Sequence, residues 1–136
     1  MNRITKLVPA AVGVSGLVLV SLAAVGSAPA SAAATCQLNV QSNKAVNLEE
    51  DNGTDSVFFK LGTTRTPTLN YALGDKQLNI GTETFQNSID LRVFEKDGNV
   101  RTRVGAINNI PCQNTPLQVT DVSDGDAIYR VRWSVQ

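Results

Sequence analysis

From residue 57 onward, apolar residues recur at every second position in short runs. Val57, Phe59 and Leu61 alternate in "SVFFKL", and Leu69, Tyr71 and Leu73 in "TLNYAL". Leu78 and Ile80 follow in "QLNI", then Ile89, Leu91 and Val93 in "SIDLRVFE". Leu117 and Val119 alternate in "LQV", and Tyr129, Val131, Trp133 and Val135 in "IYRVRWSV". A period of two places each set on one face of a strand, and no stretch sustains a helical period. Turn dipeptides separate the runs: Asn52-Gly53, Gly74-Asp75, Asp97-Gly98 and Asp124-Gly125. The pattern predicts about seven or eight short strands, one face of each apolar.

That arrangement is all-β. It predicts an antiparallel β-sandwich, immunoglobulin-like or C2-like, with two sheets packed over one core. Two hairpins can be given a register. A two-residue turn at Asp97-Gly98 sets Leu91 against Val104 and Val93 against Thr102 inside. Outside, it sets Phe94 against Arg101 and Arg92 against Arg103. A three-residue loop of Ser123, Asp124 and Gly125 pairs Val119 with Tyr129 and Leu117 with Val131. That register keeps the apolar faces together.

The N-terminus reads as an export signal. Arg3 and Lys6 precede an uncharged run from Leu7 to Val25, and small residues then offer A-x-A cleavage frames at Ala28, Ala30 and Ala32. The expectation is a signal peptide over 1–32, cleaved within 30–34, and a single sandwich domain over 33–136. An uncleaved membrane anchor and a lipid anchor on Cys36 are the alternatives. The lipoprotein pattern is poorly met, because Ala33 and Thr35 stand where Leu and a small residue are wanted. The remaining chain keeps two cysteines, Cys36 and Cys112. In an exported chain they read as one disulfide. It would close a loop of roughly 75 residues and contribute about 3 to 4 kcal/mol on a chain-entropy model.

Charge narrows the partners. The chain has 12 basic and 12 acidic residues. Losing Arg3 and Lys6 leaves ten against twelve, a net charge of about −2, which disfavours broad binding to nucleic acid or membrane. There is no histidine, hence no imidazole base or metal ligand. An enzyme and a cofactor are not expected, nor is a stable membrane anchor. The acidic turns hold Asp121, Asp124 and Asp126, the residues to test for calcium, but Asp is also an ordinary turn residue and the spacing is not that of an EF-hand. Metal binding is not the favoured reading. Asn52 begins a glycosylation sequon. Arg92, Phe94, Arg101, Arg103, Arg130 and Arg132 fall on outward strand positions. They are the candidate partner-binding residues, against the plainer reading of a solvated face.

The segments "DSVFFKLGTTRTP", "YALGDKQLNIG" and "VFEKDGNVRTRVGAI", with the Ala-rich leader, resemble small secreted β-sandwich proteins of actinomycetes, the adaptor subunits of umbrella toxin particles in particular. That resemblance implies an antibacterial toxin complex, in which a disulfide-bearing sandwich joins a repeat-bearing toxin scaffold to a lectin subunit. It carries over no site residue. The function expected is therefore a secreted, non-enzymatic adaptor for other secreted proteins. A secreted protease inhibitor using "NNIPCQNTP" and a calcium- or sugar-binding sandwich are the alternatives.

Overall fold

Nine strands appear among the described residues, 32–48 and 53–136, of a computed structural model. The leader expectation falls on residues outside that range except for its last position, and Glu49, Glu50, Asp51 and the Asn52 sequon also lie outside it. The strands are β1 (Cys36–Asn47), β2 (Asp55–Leu61), β3 (Thr64–Arg65), β4 (Leu69–Tyr71) and β5 (Lys76–Phe85). They continue as β6 (Ser88–Asp97), β7 (Val100–Pro111), β8 (Thr115–Ser123) and β9 (Ile128–Val135). One sheet runs β5-β1-β9-β8; the other runs β3-β2-β6-β7, with β4 also pairing β2. Every ladder is antiparallel. The fold is therefore an all-β antiparallel sandwich. Among the described residues no helix is long and apolar enough to cross a membrane.

The inward faces supply the core. Leu38 and Val40 meet Val57, Phe59, Leu61, Leu91, Val93, Val131 and Val135, all fully buried. A disulfide joins Cys36, at the start of the first sheet, to Cys112, just beyond β7 of the second, with 5.3 Å between the Cα atoms. It fastens the two sheets to each other at one end.

One expected strand face is reversed and another is interrupted. Leu117 and Val119 point to solvent, Val119 being 57 % exposed, while Val122 is buried. The β8–β9 register pairs Val122 with Tyr129 and Val119 with Arg132, not Val119 with Tyr129. The connecting loop spans residues 124–127, and Val119's partner moves three residues along β9, from Tyr129 to Arg132; an odd shift turns a strand over. The inward position goes to Thr120 because Trp133 needs an acceptor: its indole N–H donates to the Thr120 hydroxyl at 3.1 Å. In β5, Leu78 is 64 % exposed although Ile80 is buried. Asn79 between them has φ 55°, where the ladder with β1 is irregular, so the alternation breaks there. Leu73, also expected inside, is exposed in the turn before β5.

Gly105 sits where β7 passes the end of β8. A Cβ there would lie 2.6 Å from Val122 Cγ1 and 3.2 Å from the Ser123 carbonyl oxygen. Val122 is buried and stiff, so the contact cannot relax by a rotamer change. Gly105→Ala is expected to lower stability by about 1–3 kcal/mol through overpacking, read by urea denaturation. A loss within about 0.5 kcal/mol would show that the two strands can separate freely there.

The chain's two tyrosines are both buried. Tyr129 donates its hydroxyl proton to Asp55 Oδ2 at 2.7 Å, and Tyr71 meets the Tyr129 ring edge-on at 5.9 Å. Burial pushes the Tyr71 hydroxyl up to about 12, with nearby Asn43 opposing the rise. Burial, then the hydrogen bond to Asp55, raises Tyr129 further. Both phenols stay protonated in the folded state where an unfolded chain would ionise them, near pH 10. Their contribution to stability is whole below that pH and is lost as pH rises toward and beyond the folded values. In an alkaline titration the tyrosinate absorbance should therefore appear together with loss of strand circular dichroism. Tyrosinate forming at pH 10 in a still-folded protein would contradict the buried pair.

Candidate functional site

The outward face of the second sheet gathers cations over an aromatic layer. Two consecutive phenylalanines in β2 must point to opposite sides. Phe59 enters the core, so Phe58 points outward, yet it is only 1 % exposed. Its cover comes from the same face. The Phe94 ring stacks on it at 5.1 Å and 5°. The Arg65 guanidinium lies 3.9 Å from its centroid and that of Arg101 lies 5.9 Å away. Arg65 is steadied by a hydrogen bond to Thr68 Oγ1. The layer is an aromatic pair capped by cation–π contacts.

Strand register fixes the charges around it. Lys60 lies opposite Arg92 on one side and Arg65 on the other. Phe94 lies opposite Arg103, and Lys96 opposite Arg101. The hairpin closes through Gly98-Asn99, with Asp97 opposite Val100, and a bulge near Val104 shifts the ladder again. The expected pairing of Arg92 with Arg103 is thereby corrected: Arg92 faces Ala106 across β7. Phe94, expected as an exposed aromatic, is half-buried on Phe58.

Asp90 answers one of these cations. Its Oδ2 accepts from Arg92 at 2.6 Å and its Oδ1 from the Asn109 backbone N–H at 2.9 Å. The Asn109 N–H, followed by Arg92, holds the Asp90 carboxyl below the usual carboxylate range. The ion pairs found among the described residues are this one and Arg130–Asp121. Lys60, Arg65, Lys96, Arg101 and Arg103 thus have no described carboxylate within ion-pair distance. Adjacent like charges on a sheet are unfavourable, so a face kept this way is well suited to an outside anion.

The six arginine-face candidates do not form one surface. Arg92, Phe94, Arg101 and Arg103 share the outer face of the second sheet. Arg130 and Arg132 project from β9, in the other sheet. Arg130 grips Asp121 through Nε and Nη2, both at 2.8 Å, which lowers Asp121 and raises Arg130. Arg132 lies in a row with Leu78, Ser42 and Val119, beside a hollow of about 390 Å³. Lys60, Arg65, Lys96 and Phe58 were not among the candidates. The signal for Phe58 lay in the Phe-Phe pair, since β alternation forces one ring outward.

The acidic loop is not assembled as a calcium site. Asp121 is taken up by Arg130, and Asp124 Oδ1 accepts the backbone N–H groups of Asp126 and Ala127, both at 3.2 Å, closing the turn. Among the described residues no group of three or more Cys, Asp or Glu is placed to hold a metal ion. A cleft of about 500 Å³ between the sheets is lined by Glu83, Phe85, Asp90 and Arg92, among others. Asp90 there is committed to Arg92, and both cysteines are oxidised. The segment around Cys112 is not a protruding inhibitor loop: Ile110 and Pro111 pair with Ile89 and Ser88 in the β6–β7 ladder.

No family model and no curated protein matches the chain. Solved structures do match in fold. The tandem C2 domains of extended synaptotagmin 2 superpose with a TM-score of 0.54 at 8 % identity, covering 99 % of this chain and 49 % of that one. A calcium-bound structure of those domains gives 0.45 at 16 % identity, covering 74 % and 41 %. A structure of a C2 domain gives 0.44 at 10 %, covering 75 % and 97 %. The chain thus spans about half the length of the synaptotagmin structure. At 8 % identity the first likeness shows the fold alone, a small sandwich resembling C2-type modules. It points to no toxin particle and to no protease inhibitor.

Proposed function

We propose that the protein is an exported, non-catalytic contact module that holds an acidic protein partner against the outer face of β2, β6 and β7. One observation carries this reading: six cations, Lys60, Arg65, Arg92, Lys96, Arg101 and Arg103, surround a covered aromatic pair, and Asp90 pairs only one of them. Aromatic and arginine side chains together are the usual anchors of protein interfaces. An adaptor role between a toxin scaffold and a lectin would use such a face, and the sequence resemblance is its sole support.

A second reading, a calcium- or sugar-binding sandwich, draws on the C2-type fold. The fold comparison leans toward that kind of ligand binding more than toward a toxin particle. The Arg130–Asp121 pair and the Asp124 turn weigh against Asp121, Asp124 and Asp126 as ligands. A melting temperature raised by calcium, and no longer raised in Asp124→Asn, would favour this second reading.

The test is retention of a partner from culture supernatant on the immobilised mature domain. Arg92→Glu with Arg103→Glu should weaken binding by about tenfold or more in a domain that stays folded, its melt falling only by the loss of the half-exposed Asp90–Arg92 pair. Binding should also fall with added salt. A folded double variant with unaltered affinity would leave the arginines as a solvated face.

A further inference from the structure

The edge of the basic face offers backbone as well as charge. We propose that the free edge of β7 over residues 100–104 takes up an acidic strand of the partner, extending the second sheet by one strand. The inference rests on the reading of the basic face given above. Among the described residues β7 pairs with β6 alone, at the end of its sheet, and residues 100–103 are all exposed. The hairpin closes with Asp97 opposite Val100 around Gly98, whose φ is 55°. In a two-residue hairpin that closing pair is hydrogen-bonded, and bonded and non-bonded pairs then alternate. Arg101 and Arg103 fall on non-bonded positions, so their N–H and C=O groups turn toward the free edge. The same two residues carry outward cations.

An added strand places its side chains directly opposite those of β7. Acidic residues at every second position would therefore face Arg101 and Arg103 while the backbones pair. The available edge is short, about 17 Å for five residues, because from Gly105 the strand is covered by Val122 and Ser123. A second copy's β7 is a poor occupant, since it brings the same arginines, and cations on an edge deter self-pairing. Charge thus selects an acidic strand over the chain itself.

The probe is a short synthetic peptide alternating glutamate and valine, with a version N-methylated at alternate amides as control. At saturation the backbone amides of Arg101 and Arg103 should exchange with solvent about tenfold more slowly or better, and the methylated peptide should not protect them. Arg101→Pro, which removes an outward N–H that an edge strand can spare, should bind the peptide about tenfold more weakly than Arg101→Ala. Should the proline variant fail to fold, the methylated peptide alone makes the comparison. Binding without protection of those two amides, or equal affinity for the methylated and plain peptides, overturns strand addition. Lys60→Glu separates the two claims: if it weakens the peptide while the amides stay unprotected, the basic face stands and strand addition falls. If Lys60→Glu binds like the unaltered protein, the basic-face reading falls, and a peptide that does not bind at all overturns both.

Discussion

Replacing Cys36 and Cys112 together by serine is expected to lower the stability of the domain by about 4 kcal/mol. The bridge spans a sequence separation of 76 residues, so it removes a large set of conformations from the unfolded chain. It also ties the first strand of one sheet to the end of β7 in the other, at an end where the sheets are otherwise joined by the short β5–β6 crossing. The native contacts of both cysteines are compatible with a pair of hydroxyls only at some cost, since Cys36 is buried. The double change avoids leaving one reactive thiol. Denaturant midpoints of the two forms measure the loss, and intact mass with and without reductant reports the bridge. Labelling of free thiols in the unreduced protein, or a loss under about 1 kcal/mol, would show that the bridge does not hold the sheets.

Phe58→Ala is expected to cost about 3–5 kcal/mol, as much as a core phenylalanine, although the residue lies on the outer side of its sheet. The ring is covered on one face by Phe94 and lies under the Arg65 guanidinium. Removing it leaves both neighbours over a hole and takes away a stacked pair worth about 0.5–1.5 kcal/mol beyond its area. Arg65→Ala should cost much less, about 0.5–1 kcal/mol, because it removes only a cation–π lid at an exposed site. The contrast between the two variants, read by thermal or urea denaturation, separates a built aromatic platform from a lone surface ring. Equal, small losses would mean that Phe58 is not packed as described. The platform also underlies the Arg65 and Arg101 guanidinium groups, 3.9 and 5.9 Å from the Phe58 ring centroid.

Strands with one clean apolar face were legible from the sequence. β6 and β9 alternate as written, down to buried Ile89, Leu91, Val93, Tyr129, Val131 and Trp133. β8 was not, because the inward residue beside Trp133 is a threonine chosen for its hydroxyl, while Leu117 and Val119 face out. β5 was half legible: a bulge at Asn79 breaks a period that counting assumes is constant. The same limit hid the site. The cations could be placed outward by parity, but who faces whom depends on a turn shifted by one residue and on the bulge near Val104. Neither leaves a mark in a period-two pattern. The clustering of Lys60, Arg65 and Lys96 with Arg101 and Arg103 also needs β2, β3, β6 and β7 to be neighbours, which is a property of topology rather than of any one strand.

The claim that the second sheet carries the binding face is tested most directly by comparing charge reversal on the two sheets. Lys60→Glu with Arg103→Glu alters one face; Arg130→Glu with Arg132→Glu alters the other and moves the same number of charges. Affinity for the partner retained from culture supernatant is measured for both folded variants against the unaltered domain. The expected result is a loss of about tenfold or more for the first pair and a change within about twofold for the second. Equal losses from both pairs would mean that net charge alone draws the partner, and a loss confined to the Arg130 and Arg132 pair would place the binding face on the opposite sheet.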